Sequence, residues 1–469
     1  MASIYAAPGV SYGAGAGTEG NPFHLKWALE QLSTPTDPEV ILLAGTYSIA
    51  QLNNSGASGS KSLFEFGTQE SERITIRGEG PGVATWKGTS PAAPALTFEQ
   101  HAQFFTIKDI IFDGSKQTTT NASTVIKVFT QHGNDQNNII FDGVTVHHGA
   151  YSGIFLGPWV NACIIRDCTF YDMNNVLGGI GGNCVYGQGY NNTIRDCLAY
   201  FTVADTETKG GFRMYTNSAS IGVAGPGGGP AAVESHDNLI ERCEASKAYF
   251  NYMLSGNTIV AKNNVSANPA NTHFYLSEQP AGTNVGLDLF HNTLYSASGS
   301  GVTGFRFILG TYTGVDITNN GIYGPATAKN YVGSTSTVTP VRDLTNLTSD
   351  PTFVSTTVGS EDYNIAESGA WDGTGTDLFT TDGVTTDKAN QTRPQVTNAD
   401  VGAYEFPDPA DSPTVTMASQ YSGNINAVIS LSSVQAMGHG AEAIKAYLDV
   451  TGTLTLSIDG TGVTAKGGT

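Results

Sequence analysis

The chain has 469 residues, of which only 13% are charged, and it contains 57 glycines. Its formal net charge of −19 disfavours binding to duplex DNA or to an anionic membrane surface through the overall electrostatic field. The same charge would repel polyanionic polysaccharides unless a local basic cleft overrides it. Few charges and many glycines favour short strands joined by Gly, Asn and Asp turns over a helix-rich fold.

The five cysteines are few and odd in number, so no disulfide framework is predicted, and no apolar run is long enough to span a membrane. The opening MASIYAAPGVSYGAG lacks the basic and apolar regions of a secretory signal. We therefore expect either that a signal has been removed or that the protein leaves its cell by another route, such as within a virus particle released by lysis. No nucleic acid, no membrane and no cofactor is expected to bind.

Near the start, NPFHLKWALEQL at 21–32 predicts an amphipathic helix. Asn21 suits the N-cap and Pro22 suits the first helical position. The shared apolar face would consist of Leu25, Ala28, Leu29 and Leu32. EVILLAGTYSI at 39–49 follows as the first full strand. An open-ended array of strands needs a covered end, so residues 1–37 are predicted to form an N-terminal cap.

Between residues 38 and 345 one short phrase recurs, most clearly as CIIRDCTFYDM at 163–173 and TIRDCLAYFT at 193–202. The phrases align on a polar residue, with most steps in the range of about 21–29 residues, which indicates a solenoid. The aligned residues are Asp113, Asp142, Asp167, Asp196, Arg242, Asn263, Asn292 and Asn319. The longer step from Asp196 to Arg242 has room for two repeats or for one repeat with an inserted loop. A strand-only repeat buries its apolar face by coiling, so the pattern predicts an all-β fold, the parallel β-helix.

In such a coil like residues stack on like, which predicts that Cys168, Cys197 and Cys243 share one inward position. A metal or redox site at these thiols is disfavoured, because they lie about one repeat apart without CxxC spacing. The adjacent His147 and His148 are expected to face opposite sides of a strand, so they should not chelate one ion together. No metal site is therefore predicted.

The sequences at both ends of the predicted solenoid resemble segments of known proteins. NPFHLKWALEQL followed by EVILLAGTY resembles the start of right-handed parallel β-helix proteins of the pectate-lyase-like superfamily. DPTFVSTTVGSEDYNIAESGAWDGTG at 350–375 and RPQVTNADVGAYEF at 393–406 resemble the closing segment of many such proteins. The resemblance implies a right-handed parallel β-helix over residues 38–345 that is closed by residues 346–407.

Beyond residue 407 the composition changes. PDPADSP is typical of a linker, and residues 412–469 combine an Ala-rich stretch with a candidate hairpin. Residues 408–469 are therefore predicted to form a small α+β module that caps, anchors or helps to oligomerise the chain.

The superfamily includes polysaccharide lyases, glycoside hydrolases and phage tailspikes, so the resemblance leaves the activity open. A lyase needs a base and a cation that neutralises the uronate carboxylate. DTETKGGFRMY at 205–215 offers the best local candidates, with Lys209 as base, Arg213 as neutraliser and Tyr215 nearby. The strings that mark known lyase families are absent.

A glycosidase needs two carboxylates about 5–10 Å apart, and Asp167 and Asp196 would form such a pair on adjacent repeats. An aspartate ladder at a turn is more often structural, however. The motifs of polygalacturonase-like enzymes are not present in order, and the GHG around His439 lies outside the repeat. Outward aromatic residues could stack on sugar rings or on a partner. The candidates are Trp159, Tyr171, Tyr200 and Tyr252.

Three functional interpretations remain. The favoured one is a non-enzymatic phage virion protein, a tail, fibre or capsid-surface component that serves attachment or particle stability as a homotrimer in contact with other virion proteins. The alternative is a polysaccharide lyase or glycan-depolymerising tailspike that acts in a groove on the β-helix, with a host surface polysaccharide as partner. The third is a secreted, extracellular bacterial surface adhesin.

Overall fold

The chain winds through short strands that stack in three long parallel sheets. The structure is a computed structural model. It describes residues 3–30, 39–48, 73–88, 94–100, 102–115, 124–130, 138–173, 182–202, 210–215, 224–225, 229–231, 235–277, 283–297, 301–308, 311–332, 337–356, 361–365, 369–378, 382–393 and 398–405.

Each sheet contributes one side of the solenoid. Sheet 1 contains Ile4–Ala6, Glu39–Leu42, Ile74–Gly78, Phe105–Lys108, Ile140–Asp142, Ile164–Arg166, Thr193–Arg195, Leu239–Glu241, Ile259–Lys262, Leu287–Phe290, Thr311–Thr318 and Thr337–Leu344, with Thr283–Val285 also beside Thr311–Thr318. Sheet 2 contains Gly45–Ser48, Ala84–Lys87, Ile110–Asp113, Thr145–His147, Thr169–Tyr171, Leu198–Tyr200, Glu244–Ser246, Val265–Ala267, Thr293–Tyr295 and Gly321–Tyr323. Sheet 3 contains Leu96–Gln100, Thr124–Thr130, Ser152–Leu156, Asn183–Gly187, Gly210–Tyr215, Phe250–Ser255, Thr272–Leu276, Thr303–Ile308 and Thr327–Val332.

From Ile74–Gly78 onward the described chain visits the sheets in the order 1, 2, 3 and then starts the next rung, where it pairs in parallel with the strand below. Thr193–Arg195 pairs directly with Leu239–Glu241. The long step in the repeat is therefore one rung with an insertion, which includes the antiparallel pair Ala224–Gly225 and Gly229–Ala231. The predicted parallel β-helix is confirmed.

The core is a column of inward side chains, one or two from each strand. In the three-residue strands of sheets 1 and 2 the middle residue points inward, so Ile165 and Phe170 are fully buried while their neighbours are half-exposed. Alternation of side chains along a strand produces this pattern. The longer strands of sheet 3 add large aromatic rings to the same core.

A polar ladder runs inside the corner between sheets 1 and 2. Cys168, Cys197 and Cys243 are buried there, as predicted. The same position continues as asparagine, and the asparagine ladder consists of Asn264, Asn292, Asn320 and Asn346. Each asparagine oxygen accepts the backbone N–H of the residue at this position in the rung before it, at 2.9–3.0 Å. Buried backbone groups at the corner are thereby satisfied.

The alignment of the repeat is shifted by one residue in several rungs. The turn position carries a positive φ, which Asp167, Asp196 and Asn319 adopt as aligned. In two other rungs this position is occupied by Gly143 and His291, so Asp142 precedes the turn and Asn292 follows it. The two copies of IIFDG also differ, because Ile110–Asp113 belongs to sheet 2 and Ile140–Asp142 belongs to sheet 1.

The N-terminal helix begins later than predicted and spans Leu25–Glu30, while Leu32 of the predicted apolar face lies outside the described residues. Pro22 lies outside it, and the next residue, Phe23, forms a parallel bridge with Ala6. His24 takes the N-cap role, since its Nδ1 accepts the N–H of Lys26 at 3.2 Å. The buried face consists of Leu25, Ala28 and Leu29, which belong to the same hydrophobic core as the first strands.

After the last rung the chain folds back along the corner between sheets 1 and 2. Phe353–Ser355 and Asp362–Ile365 form an antiparallel pair. Further on, Arg393 and Glu405 form an ion pair at 2.7 Å whose side chains are 1% and 0% exposed. Arg393 also donates to the carbonyls of Asp400 and Gly402, so a buried, paired charge holds together the two ends of this closing segment. The predicted module at 408–469 lies outside the described residues.

Replacing Asn292 with alanine should destabilise the fold by about 1–3 kcal/mol. The change leaves the backbone N–H of Asn264 and the carbonyl of Ala261 without their side-chain partner inside the corner. Urea denaturation followed by circular dichroism measures the effect. Asn330→Ala, on the half-exposed outer face of sheet 3, is the control and should change the midpoint little. Equal stability of the two variants would contradict the importance of the ladder.

Replacing Arg393 with leucine should be more costly, about 3–5 kcal/mol, because the carboxylate of Glu405 would remain buried without its cation. Thermal unfolding of the purified variant tests this. Arg195→Leu, a half-exposed residue of sheet 1, is the matched control. If both variants melt together with the parent, the buried pair does not hold the closing segment in place.

Candidate functional site

The outer face of sheet 3 concentrates aromatic and cationic side chains. Strand Gly210–Tyr215 buries Phe212 and Met214 and turns Arg213 and Tyr215 outward. Parallel pairing stacks the residues of neighbouring rungs above and below Arg213 in one outward column. After Thr97 in the first strand, the column contains Lys127, Phe155, Tyr186, Arg213, Met253, Tyr275, Arg306 and Asn330.

Arg213 is clamped between two tyrosines. Its guanidinium carbon lies 4.4 Å from the ring centroid of Tyr186 and 4.6 Å from that of Tyr215. Its Nε is buried without a hydrogen-bond partner, and among the described residues no carboxylate forms an ion pair with it. The cation–π contacts orient the guanidinium but do not neutralise it, so its hydrogen-bonding capacity remains for an anionic ligand.

A second arginine lies further along the column. Arg306 donates to Asn271 Oδ1 at 3.1 Å, and its Nε is also buried without a partner. Tyr275 lies between the two arginines in the column. Burial raises the pKa of Tyr275, while the charges of Arg306 and Arg213 act in the opposite direction. The face therefore carries positive charge, although the chain as a whole is strongly acidic.

The cations of the column are evenly spaced. Lys127 lies three rungs before Arg213, and Arg306 lies three rungs after it. With about 4.8 Å per rung, neighbouring cations are about 14 Å apart along the axis. A ligand that uses all three must be an extended polyanion parallel to the solenoid axis.

Of the three residues predicted for a lyase, the structure describes two. Arg213 and Tyr215 are brought together on sheet 3. Lys209 lies outside the described residues, immediately before the strand that carries both. Its role as a base remains a prediction.

Asp167 and Asp196 lie elsewhere, in the turn between sheets 1 and 2, with φ of 53° and 54°. Arg242 holds Asp196 with two hydrogen bonds of 2.7 Å and 2.9 Å. Burial raises the pKa of Asp167, and the charges of Asp196 and Asp142 add to this effect. The two carboxylates are neighbours, but they do not lie on the same sheet as Arg213, so they act as turn residues.

The aromatic residues predicted to bind a ligand differ in how exposed their side chains are. Tyr252 faces inward, is 0% exposed, and donates to the carbonyls of Cys243 and Val265, so its assignment as a ligand-binding residue is wrong. The prediction assigned the wrong residue of this strand to the outer face, since Met253 and not Tyr252 occupies the outward column. Trp159 is half-exposed and packs edge-on against Phe129 with ring centroids 5.3 Å apart.

Tyr171 and Tyr200 face outward on sheet 2, where they form an aromatic stack. Tyr171 lies between His147 and Tyr200, with centroid distances of 4.9 Å and 5.4 Å and interplanar angles of 13° and 17°. Neighbouring rings thus occupy both faces of Tyr171. A sugar ring cannot stack on this tyrosine without disrupting the ladder.

The two histidines do not face opposite sides of the strand as expected. His147 ends strand Thr145–His147, and His148 follows with a φ of 56°. This left-handed conformation brings the two Nδ1 atoms within 2.6 Å. Asp113, one rung below, places its Oδ1 3.8 Å from His147 Nδ1. The alternation rule fails because the strand ends at His147.

A group of carboxylates on sheet 1 was not apparent from the sequence. Asp288 and Asp316 occupy adjacent rungs, and Arg342 binds both Asp316 and Asp382 of the closing segment. Burial raises the pKa of Asp288 to about 6, and the charges of Asp316 and Asp382 add to this effect. One arginine therefore serves two carboxylates while a third lies next to them.

None of the helices in the described ranges is long and apolar enough to cross a membrane. No protein-family model matches the sequence, and no curated protein is similar to it.

Among solved structures, the chain is similar to pectate lyase Pel9A at 13% identity and a TM-score of 0.55, over 86% of this chain and 97% of that chain. It is also similar to XylC in complex with xylose, at 9% identity and a TM-score of 0.47 over 86% and 98% of the two chains. An alginate lyase from Paenibacillus sp. str. FPU-7 matches at 15% identity and a TM-score of 0.38, over 66% and 95%. The similarity to Pel9A, with the three parallel sheets, confirms the right-handed parallel β-helix fold and by itself shows no activity.

Asp288→Asn should stabilise the protein at about pH 7.5 by on the order of 1 kcal/mol, allowing for solvent screening. The raised pKa means that folding favours the protonated acid, so the parent loses stability as the pH rises from about 4 to about 6. The variant, which carries no charge at this position, should not show this loss. Melting temperatures from pH 4 to pH 8 test the prediction, with the low-pH measurements as the internal control. A variant that melts below the parent at pH 7.5 would contradict it.

Proposed function

We propose that the chain acts on an acidic polysaccharide that lies along the outer face of sheet 3, parallel to the solenoid axis. The observation that carries the proposal is Arg213, an oriented guanidinium with a buried, unpaired Nε and no carboxylate partner among the described residues. An arginine held in this way recognises planar carboxylates well, because its donors form a rigid fork. The positive charge on this face also allows a polyanion to bind, although the chain as a whole is acidic.

The neighbouring rungs supply the remaining elements of a glycan groove. Tyr215 presents aromatic surface beside Arg213, and Tyr275 and Arg306 extend the face. Aromatic rings bind the apolar faces of sugars, and cations at intervals select a charged polymer over a neutral one. This arrangement favours the lyase or depolymerase interpretation over a purely structural one.

The reaction that fits this arrangement is β-elimination. A base removes the proton from the carbon beside the uronate carboxylate, a carbon–carbon double bond forms, and the bond to the glycosidic oxygen breaks as that oxygen takes up a proton. Arg213 would neutralise the carboxylate and so stabilise the negative charge that develops when the proton leaves. Lys209, which directly precedes strand Gly210–Tyr215 in the sequence, is the proposed base.

The test is a panel of polyuronates and neutral glycans, with cleavage followed by absorbance near 235 nm and binding followed by affinity electrophoresis. Parent protein should bind and cleave at least one polyuronate, more weakly at high ionic strength, and should ignore the neutral polymers. Arg213→Ala should reduce kcat/KM by about 100-fold, the loss of one charge-stabilising contact. Arg195→Ala removes the same charge from sheet 1 and should leave activity unchanged.

Two results would contradict the proposal. One is equal binding of neutral and acidic glycans, and the other is full activity of the Arg213→Ala variant. Binding that depends on Arg213 without cleavage would retain the glycan site and reject the elimination step.

A phage particle as location, a homotrimeric state and contacts with other virion proteins remain predictions. A depolymerising tailspike would use the same face of sheet 3, so the glycan proposal is compatible with a virion location. Electron microscopy of intact particles and sedimentation of the purified chain would test these predictions separately.

A further inference from the structure

A second group of polar side chains lies on sheet 2, outside the glycan face. It consists of Asp113, His147 and His148, each with one potential metal-ligand atom, and all three atoms lie within 4.8 Å of one another. The side chains of Asp113 and His147 are each 13% exposed, so the cluster is partly shielded from solvent. Two imidazole nitrogens and one carboxylate oxygen thus converge from two adjacent rungs.

Surrounding residues hold each member of the cluster in place. Lys87 Nζ donates to Asp113 Oδ2 at 2.6 Å, and the N–H of Ser115 donates to Asp113 Oδ1 at 2.8 Å. Tyr171 stacks on the ring of His147 and packs edge-on against the ring of His148, with a centroid distance of 5.8 Å to the latter. Outer-shell contacts of this kind orient the ligands of protein metal sites.

We propose that Asp113, His147 and His148 bind a divalent transition-metal ion such as Zn²⁺. Imidazole suits zinc, copper and nickel, whereas magnesium and calcium prefer sites made of oxygen alone. Ligand atoms of a tetrahedral zinc ion lie about 3.3 Å apart. The observed separations of 2.6 Å between the two Nδ1 atoms and 3.8 Å between His147 Nδ1 and Asp113 Oδ1 lie on either side of this value.

Lys87 opposes a bound cation by its charge, but its Nζ bonds Oδ2 of Asp113 and not Oδ1, the oxygen nearest His147 Nδ1.

The inferred ion would link two successive rungs of sheet 2, because Asp113 and His147 are register partners. It would stabilise the folded state by binding a site that the unfolded chain lacks. This inference does not depend on the proposed glycan site, which lies on another sheet.

The experiment uses the full chain after treatment with a chelator and dialysis. Zn²⁺ is titrated by calorimetry, and Co²⁺ is titrated by visible absorption, in which a nitrogen- and oxygen-ligated ion gives d–d bands. The parent should bind one equivalent at this site and melt at a higher temperature with Zn²⁺ than without it. His147→Ala and His148→Asn should each weaken binding at least tenfold and abolish the thermal shift. Asparagine is chosen at 148 because it tolerates the left-handed conformation.

His236→Ala is the matched control, since His236 is a half-exposed histidine that contacts Asp237 on a different part of the solenoid. It should bind the ion as the parent does. Lys87→Gln removes the opposing cation and should tighten binding, which a site elsewhere in the chain would not do. The proposal is overturned if the parent shows no saturable binding, or if the ion binds equally well to folded His147→Ala and His148→Asn proteins.

Discussion

Parallel hydrogen bonding between successive rungs is the constraint on which the rest of this structure depends. It places each residue directly above its register partner, so the chemistry of one rung must be compatible with that of the next. Inside the corner between sheets 1 and 2 this produces a ladder of thiols that changes to a ladder of asparagines after Cys243. The thiols fill a narrow apolar space, whereas the asparagines satisfy backbone groups.

The same register has different consequences on the two outer faces. On sheet 2, His147, Tyr171 and Tyr200 stack ring on ring, so they stabilise each other and offer mainly their edges to solvent. On sheet 3, Arg213 interrupts the aromatic column and packs against Tyr186, while its Nε is buried without a hydrogen-bond partner. Stacking of like residues therefore stabilises the column on sheet 2, whereas the change of residue type at Arg213 is the basis of the proposed ligand site.

Charged side chains differ in how they are paired from one part of the structure to another. The buried Arg393 of the closing segment is paired with Glu405, because an unpaired buried charge is costly. Asp288 differs from Arg393, because burial and the charges of neighbouring carboxylates disfavour its ionised form and raise its pKa. The arginines of sheet 3 also differ from Arg393, since they lack carboxylate partners among the described residues. In a protein with a net charge of −19, arginines without carboxylate partners among the described residues are the basis for proposing an anionic ligand.

The solenoid could be predicted from the sequence alone, because a strand repeat of this period can bury its apolar residues only by coiling. It also predicted the inward cysteines, which follow from the stacking of like residues, and the proximity of Arg213 and Tyr215, which follows from alternation along a single strand. Tertiary structure decided the phase of each strand. A shift of one residue moves a side chain to the opposite face, which is why Tyr252 is buried while Met253 faces outward. The turn position accepts glycine, aspartate, asparagine and histidine alike, so no single letter marks it. Clusters such as Asp113 with His147 and His148 depend on which rungs are neighbours and on where a strand ends, and a linear sequence contains neither directly.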